Sequence, residues 1–407
     1  MLIASSLVLL MIPSLGLFEA GLLRKKNTVS IFMQIFFGMA LLSVMWFTFG
    51  FSLAFSPGGG LIGNLQWTFL RGIPWDAPLT QYAPTIPGVL FVKFEMMFAV
   101  ITPLLLTGAI AERMKFSAFV LFVAAWSLLI YYPLVHWIWA VGGWLNELGV
   151  KDFAGGIVIH TSAGMGALAA ALVLGRRKDF GPSIMVPHSI PLAVLGSSLL
   201  WLGWFGFNAG SALASGGVAG NTVINTHMAS AVSALIWVGL SWKRTGKPSV
   251  IAAINGAIAG LAGITPASGY VSVESAFIIG IAVGLGSYFG VLLLKDRLKI
   301  DDALDVSSVH GIPGIIGSLA VGIFASLAIN PNGVNGLLYG NPQQLLIQAI
   351  GVGVAAALGF GSTYIIMKVI NRLIGVRVSP KVEEEGLDIA EHAERAYSDD
   401  EDELGKL

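Results

Sequence analysis

Two histidines, His160 and His310, each lie inside a long apolar stretch, 150 residues apart and in near-matching contexts. One reads Ile159-His160-Thr161-Ser162-Ala163-Gly164, the other Val309-His310-Gly311-Ile312-Pro313-Gly314. Both put an apolar residue before the histidine, Gly four places after it, and a small residue at plus seven, Ala167 and Gly317. A charge-capable side chain at membrane depth costs roughly 2.5–3.5 kcal/mol on the insertion scale, so it marks a pathway or a site. Imidazoles there can offer polar contacts or relay protons. The alternative, two unrelated core histidines held by backbone carbonyls, suits a single histidine better than a repeated pair.

Composition says which elements must position them. The 407 residues are 55% hydrophobic and only 11% charged, with 51 Gly, and the mean hydropathy is +0.80. A soluble domain needs more surface charge than this, and small residues let helices approach closely in lipid. The chain reads as an all-α polytopic membrane protein. Net charge is zero, which gives no reason to expect nucleic acid, and zero cysteines exclude disulfides and thiolate metal sites. Met1 runs straight into an apolar segment whose basic cluster, Arg24-Lys25-Lys26, comes after it, so no cleavable leader is expected.

Apolar segments of spanning length fall near 2–23, 30–55, 88–111, 117–145, 153–175, 190–212, 218–241, 249–265, 273–294, 304–327 and 343–371, which makes eleven transmembrane helices. Basic residues fill alternate loops: Arg24–Lys26, Arg113 and Lys115, Arg176–Lys178, Lys243–Lys247, Lys295–Lys299. The other loops carry only Arg71 and Lys151, with Lys93 at a span edge. The positive-inside rule then puts the N-terminus outside and the C-terminus in the cytoplasm. His160 falls on span 5 and His310 on span 10. Five is odd, so spans 1–5 and 6–10 read as inverted five-helix repeats with a site near the midplane, and a long span 11 lies outside them. The division is a transmembrane domain over 1–373 and an acidic cytosolic tail over 374–407, with the Gly- and Pro-rich loop 56–87 covering the outer mouth.

Other residues gather around the pair. Asp152 opens span 5, where capping free N–H groups is its first role and favouring a cation in the vestibule a second. Asp305, five residues before His310, is expected to be structural too. Phe94 and Phe98 share one helical face of span 3, and Phe207 and Ser211 one face of span 6. On spacing alone such aromatics are packing residues.

The stretches Asp152–His160, Trp204–Ser211 and Asp305–Gly314, with Gly108-Ala109-Ile110-Ala111-Glu112-Arg113, resemble the ammonium transporter family (Amt/Mep, distantly related to Rhesus proteins), and the similarity runs along essentially the whole chain. The resemblance implies pore histidines at His160 and His310, a gate of Phe98 and Phe207, and an outer cation site of Phe94, Trp139 and Ser211 with Asp152 behind it. It implies no enzyme activity, no cofactor and no metal. Aromatic faces and one hydroxyl would hold NH4+. Loss of a proton would let NH3 pass the neutral imidazoles, while K+, with no proton to lose, is rejected. The cargo expected is ammonium or ammonia, with methylammonium as analogue. The resemblance also implies a plasma-membrane homotrimer whose tail reports to a PII-type regulator; from its own composition, with Gly386 and a dense acidic end, the tail is expected to be ordered over 377–397 and mobile over 399–407. Arg113, Lys115 and Arg176–Lys178 are expected to supply bases for its carboxylates. Glu19 and Glu95 depart from the family pattern, which more often has Tyr and Gln there. Two other readings compete. One is an ammonium sensor signalling through the tail. The other is an intramembrane metalloenzyme, which lacks a third ligand and any His-Glu-x-x-His pattern.

Overall fold

Backbone polar groups in hydrocarbon must be satisfied within their own segment, so each apolar run folds as a helix. The computed structural model describes residues 1–181 and 186–397. Ten of its helices are long and apolar enough to cross a membrane: α1 Leu2–Leu22, α2 Lys25–Phe55, α3 Gly88–Ile110, α4 Phe116–Leu148, α5 Gly156–Leu174, α6 Ile190–Gly210, α7 Gly217–Thr245, α9 Val273–Arg297, α10 Ser307–Phe324 and α11 Gln343–Leu373. Between α7 and α9 lies the shorter apolar helix α8, Val250–Ile264. The expected eighth span is therefore present as a 15-residue helix.

The helices that an inverted repeat makes equivalent are the ones that meet. α1 lies along α6 because glycines remove the side chains between them. A Cβ on Gly196 would sit 2.3 Å from the Phe18 nitrogen, and one on Gly203 would sit 2.2 Å from Met11 Cγ. α5 crosses α10 through Gly164, whose added Cβ would be 2.2 Å from Gly311 Cα. The reciprocal contact is made by Gly314, whose Cβ would be 2.9 Å from His160 Cβ. Thus the glycine four residues after each histidine is what lets the opposite helix come close at its own histidine. α11 lies outside this pairing, against α5, α10 and α4. Gly359 permits that contact, since a Cβ there would be 2.5 Å from the Ser162 carbonyl oxygen, and Trp126 Nε1 donates to Thr363 Oγ1 at 2.9 Å.

One face of the bundle carries the loop between α2 and α3, with two small hairpins, β1–β2 (Gly58–Gly59, Ile62–Gly63) and β3–β4 (Pro78–Leu79, Ala83–Pro87). This is the vestibule face. Tyr82 from the loop donates to the Phe55 carbonyl at 2.6 Å, and Thr85 donates to that of Leu213 at 2.6 Å.

The opposite, tail face holds a buried charge cluster. Arg177 bonds Glu112 at 2.8 Å and Asp301 at 2.7 Å, while Arg24 Nε reaches Glu112 at 3.0 Å. Burial alone pushes the Glu112 carboxyl up, but Arg177 and Arg24 outweigh it and hold it below its ordinary value. Asp301 is likewise held low: burial opposes, and Arg177 prevails. After Leu373 the chain forms two short helices, α12 Pro380–Glu385 and α13 Leu387–His392. Lys178 does supply its ammonium to a tail carboxylate, that of Glu384 at 2.6 Å. The other expected bases act differently. Arg113 is buried, donating to the Ala111 and Asp301 carbonyls, and Lys115 Nζ donates to the Ile374 carbonyl. Arg176 donates to the Lys299 carbonyl. Tail carboxylates instead meet backbone N–H groups: Asp388 accepts from Ser30 at 2.9 Å and Glu391 from Phe116 at 3.0 Å. Residues 399–407 lie outside the described residues.

Candidate functional site

Both histidines stand in a π-helical turn, Gly156–Thr161 in one case and Ser307–Gly311 in the other. Such turns widen the helix by one residue and occur often at functional sites. Each turn is opened by a carboxylate eight residues before its histidine. Asp152 accepts from the backbone N–H groups of Gly155, Gly156, Ile157 and Val158 at 2.7–2.9 Å. Those four bonds use all the acceptor directions a carboxylate has. Asp152 is therefore a cap, which lends its charge to the vestibule without a free lone pair. Gly155 has φ +115°, a left-handed conformation that favours glycine and lets the turn begin beneath the cap. In the second repeat the equivalent cap is Asp302, which accepts from Ser307 N–H at 2.7 Å. Asp305 has another structural task, an ion pair with Lys295 at 2.8 Å. The equal eight-residue spacing was readable in the sequence as the signal for Asp302.

The crossing at Gly164 and Gly311 brings the imidazoles together. Nδ1 of His310 lies 3.2 Å from Nδ1 of His160, and the rings are nearly parallel, 5.3 Å between centroids and 16° apart. One proton is shared along this bond, so the two rings hold opposite tautomers, and either can be the donor. His160 Nε2 is buried with no protein partner. An unpaired buried polar atom costs about 1–3 kcal/mol unless something else fills its hydrogen bond.

A column of rings leads from the vestibule to the pair. Phe98 stands edge-on to Phe207, centroids 4.6 Å apart at 73°, and both are about 1% exposed. Phe207 lies over His160 at 6.1 Å. Trp204, which spacing alone did not single out, stacks on the same imidazole at 5.5 Å and is anchored by Nε1 donating to Thr265 Oγ1 at 2.9 Å. On the open side of this ring pair is a cavity of about 510 Å³, lined in part by Phe98, Trp139, Asp152, Ser211, Tyr82 and Glu95. Trp139 lies 6.2 Å from Phe98 and is held by Nε1 donating to the Asp152 carbonyl at 2.9 Å. Ser211 Oγ donates to the Phe207 carbonyl at 2.9 Å, which leaves its lone pairs to accept from a cation's N–H. Phe94 does not line this cavity. It is fully buried behind Phe98, at 4.9 Å, and against Gly210. Among the described residues no group of three or more His, Asp or Glu side chains could hold a metal ion.

Residues 1–397 match the family described as Ammonium Transporter Family. The chain is 53% identical over 400 residues to ammonium transporter 1 of Dictyostelium discoideum, covering 97% of this chain and 86% of that one. It is 43% identical over 399 residues to an ammonium transporter of Bacillus subtilis, covering 98% of each. Among solved structures it is similar to Saccharomyces cerevisiae Mep2, with a TM-score of 0.87 and 34% identity over 93% of this chain and 87% of that one. It is also similar to a protein named Sensor Amt Protein, with a TM-score of 0.87 and 33% identity over 96% of both chains.

Proposed function

Because this chain belongs to the ammonium transporter family, a family of multi-pass membrane proteins, we propose that it carries ammonium across the plasma membrane along the column of rings. The observation that carries the reading is the continuity of that column: a vestibule with aromatic faces, a dry Phe98–Phe207 gate, and a buried imidazole pair whose His160 Nε2, buried and unfilled, lies directly beyond it. NH4+ is recruited by Trp139 and Phe98, with Ser211 accepting one N–H. The fixed negative charge of Asp152 favours it through space, and Phe94 backs the site by holding Phe98 in place. A cation cannot cross the gate without shedding its water and finding no replacement. NH4+ gives its proton to water of the vestibule, to be carried separately, and the neutral NH3 passes and donates to the imidazole edge. No covalent chemistry is required, so the protein is a transporter and not an enzyme.

The vestibule face is outside and the tail face cytoplasmic, in keeping with the basic loops on the latter. Three copies assemble, each with its own pore. The tail, held by Ser30 and Phe116 of the first repeat and by Lys178 in the connection between the repeats, reports pore state to a PII-type regulator. Those same contacts would serve a sensor, and flux separates the two readings. The test is His310→Ala in proteoliposomes, following ammonium uptake, current and K+ leakage. The expected result is altered selectivity or loss of charge-coupled transport. Unchanged K+ exclusion together with unchanged ammonium currents would remove the imidazoles from the pore.

A further inference from the structure

A second buried acid lies on the other side of the histidine pair, and the conduction scheme above does not use it. Glu19, on α1 one turn before the helix ends, is 2% exposed. Its Oε2 lies 2.7 Å from Thr107 Oγ1, and its carboxyl accepts a hydrogen bond from the Gly108 backbone. The Thr107 hydroxyl is also 2.5 Å from the Leu104 carbonyl oxygen. A hydroxyl has one proton, and a carbonyl oxygen can only accept. If Thr107 donates to Leu104, its oxygen must receive a proton from Glu19, so the two short contacts are both satisfied when Glu19 is a carboxylic acid. Among the described residues Glu19 makes no ion pair: Arg24 and Arg177, the guanidinium groups of the tail-face cluster, are engaged by Glu112, Asp301 and Asp179.

The place of this acid matters as much as its state. A Cβ on Gly108 would meet Val306 Cγ2 at 2.8 Å, Glu19 Oε1 at 3.0 Å and Leu304 Cβ at 3.4 Å. Val306 is one helical turn before His310, and Leu304 lines the cavity of about 770 Å³ on the tail face, together with Leu22, Arg24, Glu112 and Arg177. Glu19 is therefore packed through Gly108 against Leu304, which lines that cavity, and Val306, one turn before His310, and the missing side chain at Gly108 leaves room for its carboxyl there.

We propose that Glu19 is the proton-exchanging group at the tail-face end of the path, protonating ammonia as it leaves the pore; this rests on the ammonium-transport reading above. The step balances: the Glu19 O–H bond breaks as the fourth N–H bond of NH4+ forms, and the carboxylate then takes a proton from the water of the tail-face cavity. The cation so formed enters the cavity beside Glu112 and Asp305, which line it. For transport in the other direction the same carboxylate receives the proton that ammonium gives up.

The test compares wild-type, Glu19→Gln and His310→Ala protein in proteoliposomes loaded by an ammonium jump, with infrared difference spectra of the same samples. Gln keeps the bonds to Thr107 and Gly108 in shape but has no proton to exchange. The expected result is a carboxylic-acid carbonyl band at neutral pH in wild type that is missing from Glu19→Gln and changes when ammonium is added. Turnover of the variant should fall roughly a hundred-fold, the scale of a positioned acid–base group, while its half-saturating ammonium concentration stays the same. A merely structural role would leave the ammonium-sensitive band absent. No difference band, or wild-type turnover in Glu19→Gln, overturns the proposal. Wild-type vesicles that take up no ammonium, with His310→Ala indistinguishable from them, would instead bring down the transport reading and this inference with it.

Discussion

Substituting Gly164 by Ala tests the geometry on which the site depends. The added Cβ would lie 2.2 Å from Gly311 Cα and 2.3 Å from its nitrogen, both backbone atoms that no rotamer change can move. Ordinary contact begins at 3.4 Å, so α5 and α10 must separate by about 1.2 Å at this crossing if they move apart directly. The Nδ1···Nδ1 distance of 3.2 Å would then open to about 4.4 Å, beyond any hydrogen bond. The cost is about 1–3 kcal/mol of overpacking, plus about 1 kcal/mol for the lost bond. Gly311→Ala is the internal control. Its Cβ would be 3.1 Å from Gly164 Cα, a deficit of a few tenths of an ångström that small shifts absorb. Melting temperature in detergent and ammonium uptake in proteoliposomes should thus fall sharply for Gly164→Ala and only slightly for Gly311→Ala. Equal behaviour of the two variants, or wild-type uptake by Gly164→Ala, would refute the close crossing as the device that pairs the histidines.

Three further outcomes are expected. Trp139→Leu removes an aromatic face worth about 0.5–2 kcal/mol, so the half-saturating ammonium concentration should rise about two- to thirty-fold; an unaltered saturation curve would make Trp139 a packing residue. Asp152→Asn exchanges an acceptor oxygen for a donor nitrogen and strands two of the four capped N–H groups, a loss of about 1–3 kcal/mol for each, seen as a lowered melting temperature with uptake reduced in step. Finally, Glu112 and Asp301 have folded values below their ordinary 4.5 and 3.8. Their contribution is complete above those values and is lost as pH falls through the lower folded ones. The melting temperature should therefore drop below about pH 4.5, less steeply in Glu112→Gln; a flat acid limb in wild type would show that the Arg177 cluster does not support the tail face.

Much of this protein is legible in one dimension because lipid imposes a one-dimensional rule. A segment must be apolar for about 20 residues and must close its own hydrogen bonds, so span positions, the odd repeat length and the buried histidines can all be read along the chain. Even the short α8 was found, although its 15 residues fall below spanning length. Repetition supplied the rest: a histidine, then glycine at plus four, twice. What the one-dimensional reading could not supply is which surface each glycine faces. Gly164 and Gly314 look alike in sequence, yet one meets a glycine backbone and the other the partner histidine's own Cβ, because an inverted repeat crosses its equivalent helices at an offset. The same limit explains the vestibule. Phe94 and Phe98 share a helical face, but only the tertiary structure decides that Phe98 lines the cavity and Phe94 stands behind it against Gly210. It likewise decides that Trp204 stacks on His160, and that Arg177 turns inward to Glu112 and Asp301 instead of outward to the tail. Residue type and spacing determine what a side chain can do and the face it occupies; the crossing of distant helices determines what it meets there.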